Sequence, residues 1–141
     1  MASWLRITPT VTASSGDSIT SAVFTPKDYL FITLEIDASS DGKWRFGDDG
    51  SIETASVYGQ RDGANGANPW SANAPRSNIE CTYGSTPQLI ELWIDNTTGG
   101  NKMGIGHVVS SATGVSNAPN RKESIFKYTA ETSSQINIVQ S

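Results

Sequence analysis

The feature of this sequence that most constrains its fold is a run of alternating aliphatic residues at positions 29–37. No Gly or Pro interrupts the run, and four aliphatic side chains recur at every second position: Leu30, Ile32, Leu34 and Ile36. In an extended strand alternate side chains point to the same face, so these four would cover one face of a sheet. Residues 89–95 repeat the pattern, with Ile90, Leu92 and Ile94 on one face. We expect these two strands to be the centres around which a sheet forms.

Shorter alternating segments fill the rest of the 141-residue chain. They are separated by turn-forming residues and lie at positions 5–7, 19–24, 43–46, 52–58, 79–83, 103–109, 123–129 and 135–140. No window of eleven residues has a helical period. About eight to ten short strands predict an all-β fold, an antiparallel β-sandwich of the jelly-roll type. Because the composition nowhere changes abruptly, we expect a single domain over residues 1–141, with residues 1–10 as a contact arm.

Two connections and one strand carry more specific signals. Asp41-Gly42 favours a primed turn, which predicts a hairpin between the strand at 29–37 and the strand at 43–46. Residues 59–77 are rich in Gly, Asn and Pro and are predicted to form a long irregular loop. Gly104 and Gly106 lie inside the strand at 103–109, where they indicate a bulge or the close approach of another backbone.

Charge and cysteine content exclude several classes of function. The formal net charge is −4 and the ten Lys and Arg residues are scattered, whereas nucleic-acid binding requires clustered basic residues. The single Cys81 cannot form an intrachain disulfide and is predicted to be a small buried residue. The longest apolar stretches fall short of the ~18 residues of a membrane helix. Residues 1–6 lack the apolar core of a signal peptide, which predicts synthesis in a cytosol.

The sequence offers little support for catalysis. His107 is the only histidine and is predicted to be a half-buried residue in the middle of a strand. Glu35 and Glu91 lie on the second faces of the two long strands and could approach each other, as the carboxylates of a glycosidase do. The alternative, that both face solvent or pair with Lys or Arg, is favoured. We therefore expect no enzymatic activity and no catalytic residues.

A metal site is likewise not expected. Asp41-Gly42 and Asp48-Asp49-Gly50 contain carboxylates that could bind Ca²⁺. However, these segments lack the alternating ligands and the final Glu of a calcium-binding loop, and Asp-Gly is ordinary turn chemistry. We predict no metal and no cofactor.

The four tryptophans are the best candidates for binding. Trp44 and Trp93 lie in strands and are predicted to be core residues. Trp70 lies in the polar loop of residues 59–77, where it could bind a sugar ring, hold its own loop or lie in a subunit interface. Trp4 is close to the N-terminus, where it could pack on the domain or on a neighbouring molecule.

Four segments together carry a resemblance to a known group of proteins. They are residues 24–30 (Phe-Thr-Pro-Lys-Asp-Tyr-Leu), 45–50 (Arg-Phe-Gly-Asp-Asp-Gly), 121–128 (Arg-Lys-Glu-Ser-Ile-Phe-Lys-Tyr) and 134–138 (Ser-Gln-Ile-Asn-Ile). In this order, they resemble short virion-associated proteins of tailed bacteriophages. The resemblance spans residues 24–138 and does not include the segment 59–77.

The resemblance implies a jelly-roll subunit displayed on a phage particle. The expected function is that of a capsid decoration (cement) protein, which binds the assembled capsid lattice as an oligomer, with a trimer favoured by capsid symmetry. The expected partners are the major capsid protein or other virion proteins, and the expected contact residues are Trp4, Leu5, Ile7 and Trp70. The alternative is a tail- or fibre-associated carbohydrate-binding module that recognises a host glycan. In both cases, the protein is located in the virion after assembly in the host cytoplasm.

Overall fold

The computed structural model describes residues 18–36, 42–48, 51–52, 58–64, 71–76, 79–80, 87–99, 101–111, 119–129 and 135–140. Within these residues there is no helix, and therefore no helix that could cross a membrane. Eleven strands are present: β1 (Ser18–Thr20), β2 (Tyr29–Ile36), β3 (Gly42–Asp48), β4 (Ser51–Ile52), β5 (Tyr58–Ala64), β6 (Ser71–Arg76), β7 (Ile79–Glu80), β8 (Gln88–Asp95), β9 (Lys102–Ser110), β10 (Asn120–Tyr128) and β11 (Gln135–Gln140).

The strands form two antiparallel sheets. The five-stranded sheet has the order β1-β11-β3-β4, with β7 also paired to β3. The six-stranded sheet has the order β2-β8-β9-β10-β5-β6. The chain is therefore all-β with antiparallel sheets, as the sequence predicts, and the arrangement is consistent with a β-sandwich.

Four of the strand pairs are nested along the chain. β1 pairs with β11, β2 with β8, β3 with β7 and β5 with β6. The hairpin of β9 and β10 is inserted between β8 and β5 and widens the six-stranded sheet by two strands. In a nested arrangement, the two strands of an outer pair lie before and after the inner pair in the sequence. Most contacts that hold the sheets together therefore join residues that are far apart in the sequence.

One hydrophobic core lies between the two sheets. Phe46 of β3 stacks on Phe126 of β10, with 6.2 Å between ring centroids. The hydroxyl of Tyr58 in β5 accepts a 2.9 Å hydrogen bond from the backbone N–H of Phe46. Both contacts join the five-stranded sheet to the six-stranded sheet. Trp44 is fully buried in the same core, as the sequence predicts.

The two long alternating runs contribute one face each to this core. Leu30 of β2 is buried, and Ile32, Leu34 and Ile36 pack against the core from the same face. In β8, Ile90, Leu92 and Ile94 are buried. The inward positions of both strands are therefore confirmed. The structure contradicts the expectation that β2 lies at the centre of a sheet, because β2 forms one end of the order of the described strands and among these pairs only with β8.

The predicted hairpin at Asp41-Gly42 is also wrong. β2 belongs to the six-stranded sheet and β3 to the five-stranded sheet, so the chain passes from one layer to the other between them. The physical reason is that β2 and β3 each have one apolar face. Both faces can be buried together only when they meet from opposite sides of one core.

The predicted irregular loop at residues 59–77 contains most of two strands. β5 (Tyr58–Ala64) pairs with β10 over its whole length, and β6 (Ser71–Arg76) pairs with β5. These strands have few apolar residues, and hydrogen bonding to neighbouring backbone holds such a segment in a sheet where side-chain alternation gives no signal. The predictions for residues 5–7 and for Cys81 lie outside the described residues.

Gly104 is closely approached by a side chain, and not by another backbone as the sequence predicts. A Cβ atom at this position would collide with the ring of Phe126, which lies opposite Gly104 in the β9–β10 register. Only a residue without a side chain therefore allows the Phe126 ring to lie flat on β9 and reach Phe46 across the core.

Candidate functional site

The outer face of the six-stranded sheet is the most distinctive surface of the described residues. More buried and more exposed side chains alternate along β2, β8, β9 and β10, so every second side chain of these strands points away from the core. Eight large apolar side chains on this face are between 39% and 63% exposed. They are Tyr29, Phe31, Leu89, Trp93, Met103, Ile105, Val109 and Ile125. We call this surface the outer face.

A continuous apolar row crosses the middle of the outer face. The strand registers place Phe31 opposite Trp93, Trp93 opposite Ile105, and Ile105 opposite Ile125. The rings of Phe31 and Trp93 have centroids 4.2 Å apart and are tilted by 32°. Because neighbouring strands are ~4.8 Å apart, the row extends over roughly 14 Å. A soluble monomer rarely exposes so much contiguous apolar surface without a function.

Trp93 was predicted to be a core residue, and the structure shows that this is wrong. Its side chain is 43% exposed and lies on the outer face beside Phe31. Ile90, Leu92 and Ile94 occupy the inward positions of β8, which leaves the odd-numbered positions outside. The sequence contains the signal for this, because Glu91 and Asp95 share the face of Trp93 and charged residues favour the solvent side.

A second row, next to the apolar one, is polar. Glu91 lies opposite Thr33 on one side and His107 on the other, and His107 in turn lies opposite Glu123. His107 is exposed, so the prediction of a half-buried histidine is wrong. The reason is that its neighbours Gly106 and Val108 take the inward positions of β9.

Glu35 and Glu91 both lie on the outer face, as the sequence predicts. Glu35 pairs with Leu89 and Glu91 pairs with Thr33, so the two carboxylates are diagonal neighbours in the β2–β8 ladder. Glu35 is exposed and Glu91 is partly exposed. The arrangement corresponds to the favoured interpretation, in which both residues face solvent.

The charges on the outer face are divided between its two sides. β2 and β8 carry three carboxylates on this face, those of Glu35, Glu91 and Asp95. β10 carries Arg121 and Lys127, and the guanidinium of Arg121 lies 3.2 Å from Glu123. Thus the β2–β8 side is acidic, and the β10 side has both of the exposed basic groups of these strands.

A turn at the end of β8 favours the charged form of Asp95. Its carboxylate accepts hydrogen bonds from the backbone N–H of Thr97 (3.1 Å) and from the Thr97 hydroxyl (2.8 Å). These bonds, the backbone bond first, lower the pKa of Asp95 below its usual value of 3.8, and the nearby Lys102 adds to the effect. Asp95 is consequently a fixed negative charge at the edge of the outer face.

The inner face holds a separate polar cluster between β5 and β10. The Oδ1 atom of Asp62 accepts hydrogen bonds from Gln60 (2.6 Å) and Ser124 (2.7 Å), and its Oδ2 atom lies 3.6 Å from the ammonium of Lys122. The side chains of Asp62 and Lys122 are only 14% and 11% exposed. Since the carboxylate already has three partners inside the protein, the cluster joins two strands and has the character of a structural clamp.

The predicted contact residues Trp4, Leu5, Ile7 and Trp70 lie outside the described residues, as do Asp41 and Asp49. In the described part of the chain, no three His, Cys, Asp or Glu side chains are grouped closely enough to bind a metal ion. Sequence reasoning did not identify the outer face as a site, although Phe31 and Trp93 are on the faces of β2 and β8 opposite to the aliphatic runs.

Comparisons of the chain with protein-family models, with curated proteins and with solved structures found no match.

Proposed function

We propose that this protein is a non-catalytic structural subunit of a bacteriophage virion, and that it acts as a capsid decoration protein. The observation that carries the assembly role is the outer face, where eight large apolar side chains are exposed on one face of one sheet. The phage particle as the site of assembly comes from the resemblance of residues 24–138. The partners would be the major capsid protein or other virion proteins, and no cofactor is required.

The nested strand pairs support a jelly-roll fold for this subunit. In a jelly roll a long antiparallel hairpin is rolled up, so that the first strand pairs with the last and inner strands pair with inner strands. The pairs β1–β11, β2–β8, β3–β7 and β5–β6 follow this order, and β9 and β10 are an insertion. Jelly rolls serve in viral capsids and also in lectins, so the fold alone does not select the function.

A decoration protein stabilises a capsid by binding the assembled lattice in preference to free subunits. Mass action then favours the closed shell in proportion to the occupancy of the sites. An exposed apolar surface suits an assembling subunit because its burial against a partner supplies binding free energy. Trp4, Leu5 and Ile7 in the arm of residues 1–10, together with Trp70, remain predicted lattice contacts, and capsid symmetry makes a trimer the expected oligomer.

A carbohydrate-binding module at a tail or fibre is the second candidate. The observation that favours it is the exposed Phe31–Trp93 ring pair, next to the polar row that contains Glu91 and His107. Sugar rings stack on exposed aromatic side chains, and their hydroxyls need polar partners beside the rings. The decoration role is preferred because Met103, Ile105 and Ile125 continue the surface with aliphatic side chains, which suit a protein partner better.

The decisive experiment measures the amount of this chain in purified particles of the phage that encodes it, by quantitative gel densitometry. Copy numbers on the order of hundreds indicate a shell protein, and about three to a few tens indicate the tail or fibre. Absence from the particle would refute the virion role. Deletion of residues 1–8 should abolish particle binding and leave the domain folded; retained binding would remove the arm from the proposed contacts.

A second measurement separates the two candidates. Trp93→Ala should not change the response of the purified protein on a glycan array if the protein is a decoration protein, because no glycan binds. Array binding that is present in the wild type and lost in Trp93→Ala would support the adhesion module. Val23→Ala, an exposed apolar residue outside the outer face, is the matched control.

A further inference from the structure

We infer that the outer face packs against the outer face of a second copy of this chain, through a two-fold axis that runs parallel to the strands over β9. This inference deepens the proposed function and rests on it, because it names the partner of the surface that the proposed function assigns to assembly. Two observations carry it: the extent of the apolar surface and the separation of charge across it.

The extent of the apolar surface matches what a stable pair needs. The eight exposed apolar side chains together leave on the order of several hundred Å² of apolar area in contact with water. A standard protein interface buries about 800 Å² on each partner. The apolar residues are spread from Tyr29 on β2 to Ile125 on β10, so only a partner that covers four strands buries all of them. A second copy offers a flat surface of that same width.

The width of the apolar surface also distinguishes a two-fold pair from a three-fold ring. Around a three-fold axis, flat faces meet at an angle and touch only along part of their width. Face-to-face packing about a two-fold axis covers the whole apolar row from Phe31 to Ile125. A trimer is favoured by capsid symmetry, whereas the distribution of apolar residues favours a two-fold contact at this surface.

The charges select the direction of the axis. A two-fold axis parallel to the strands and over β9 places β8 of one copy on β10 of the other, since these strands flank β9. The acidic side, with Glu35, Glu91 and Asp95, then lies over the side that carries Arg121 and Lys127. Lys127 faces Asp95, whereas Arg121 faces Leu89, which is next to Glu35 in the same row. An axis perpendicular to the strands would instead place each strand on its own copy and bring like charges together.

The register makes the match more specific. Asp95, Met103 and Lys127 lie in one row across β8, β9 and β10. A rotation about this axis does not shift residues along the strands, so each row of one copy faces the same row of the other copy. Asp95 of one copy therefore faces Lys127 of the other, and the contact occurs twice in the pair. In the next row, Trp93 faces Ile125, and Ile105 meets its own copy on the axis. The one like-charged pairing joins Glu91 to Glu123, which has the Arg121 guanidinium 3.2 Å away.

The same axis places β2 of one copy on β5 of the other. Gly59 and Gly63 pair with Lys127 and Glu123, whose side chains lie on the outer face, so these glycines occupy outward positions of β5. Tyr29 is the most exposed residue of the outer face and lies in the row of Asp95 and Lys127, so its ring faces Gly59. Gly59 is itself buried, and Arg61 takes the outward position between the two glycines, in the row of Phe31.

The test is sedimentation velocity of the full chain over a concentration series. We expect a dimer for the wild type and for the control Val23→Glu, which adds a charge outside the outer face. Ile105→Glu places two carboxylates on the axis and should raise the dimer dissociation constant about 100-fold or more. A wild-type protein that is monomeric at every concentration, or that is trimeric, would overturn the inference, as would a dimer that is unaffected by Ile105→Glu.

A charge-reversal pair tests the direction of the axis. Asp95→Lys and Lys127→Asp should each weaken the dimer about tenfold or more, and the double variant should restore most of the affinity. Circular dichroism and the unfolding midpoint of each variant show whether it is folded. A folded double variant no tighter than the weaker single variant would overturn the proposed axis.

The outcome is distinguishable from that of the proposed function. A monomer that sediments with phage particles would leave the virion role standing and refute the second copy as the partner. A two-fold dimer that is absent from the particle would do the opposite.

Discussion

At the scale of single residues, hydrogen-bond donors in a neighbouring turn can stabilise the charged form of a partly exposed carboxylate. Asp95 is an example, because the backbone N–H and hydroxyl of Thr97 both bind its carboxylate. The backbone bond of Thr97 is the largest cause of its lowered pKa. A lowered pKa in the folded state means that the folded state binds the proton less well than the unfolded state. Asp95 therefore adds to stability at neutral pH, and protonation removes this contribution.

We predict that Asp95→Asn lowers the free energy of unfolding at pH 7 and that the difference from wild type narrows in acid. The contribution is complete above the usual pKa of 3.8 and is lost as the pH falls through the lower pKa of the folded state. Urea unfolding between pH 7 and about pH 2, at one protein concentration, measures this difference. Thr97→Val keeps the backbone bond and should show a smaller effect; a difference that widens in acid would contradict the prediction.

Trp93 shows what sequence reasoning can and cannot determine for a residue. The alternation of β8 divides its side chains into two faces, and this division is confirmed. Which face an aromatic residue prefers is not decided by the residue alone, because Trp is compatible with a core and with an interface. The neighbours on the same face, Glu91 and Asp95, contain the missing information. When all side chains on this face of β8 are considered together, the two carboxylates predict that Trp93 points to solvent.

At the scale of elements, long alternating strands are predictable and pairing-dependent strands are not. β2, β8 and β9 have strong alternation and were found at the predicted positions. β5 and β6 are not predicted because their sequences, with several Gly and Ala residues and few apolar side chains, resemble a loop. The strand conformation of β5 depends on pairing with β10, which lies about sixty residues away in the sequence, and that of β6 depends on pairing with β5. The hairpin at Asp41-Gly42 failed for a related reason, since a local turn signal does not specify which layer receives the next strand.

We predict that the clamp at Asp62 is what fixes β5 to β10. Asp62→Ala removes the acceptor of Gln60 and Ser124 and leaves the largely buried ammonium of Lys122 without its carboxylate. The expected loss is about 2–4 kcal/mol in the free energy of unfolding. Urea denaturation provides the measurement.

Glu123→Gln is the matched control for this prediction. Glu123 neighbours Ser124 in β10, but its ion pair with Arg121 lies on the exposed face, with side chains 34% and 61% exposed. Exposed ion pairs contribute about 0–1 kcal/mol, so this variant should be close to wild type. If Asp62→Ala were as stable as Glu123→Gln, the clamp would have no structural role.

At the scale of the whole molecule, the inner face of the six-stranded sheet is covered by the protein itself, whereas the outer face is exposed. The inner face is closed by the five-stranded sheet, and its polar groups at Asp62 are paired within the chain. The outer face has apolar residues at positions that the fold does not need for its own core. Four of the eight, Met103, Ile105, Val109 and Ile125, lie on the inserted strands β9 and β10. The insertion thus supplies half of the surface to which we assign assembly.

The sequence predicts the layers of this molecule better than its site. Alternation identifies which residues can form a core, and an all-β fold follows from the number of such segments. A site made of one residue from each of four strands depends on their registers, and these are set by pairings such as β2 with β8 and β9 with β10. Candidate residues chosen one at a time, such as Trp70, cannot reveal a surface of this kind.

The two sheets share one core, and we predict that they unfold as one cooperative unit. Phe46 of the five-stranded sheet and Phe126 of the six-stranded sheet stack with ring centroids 6.2 Å apart. Each Phe→Leu substitution should cost about 1–2 kcal/mol. A double-mutant cycle should give a coupling of about 0.5 kcal/mol or more, because each ring loses the same partner. The control combines Phe31→Leu with Phe126→Leu, whose side chains lie on opposite faces of the sheet. In this control the two losses of unfolding free energy should add. Two separate unfolding transitions, or additivity of Phe46→Leu with Phe126→Leu, would mean that the sheets are held together by something other than this aromatic contact.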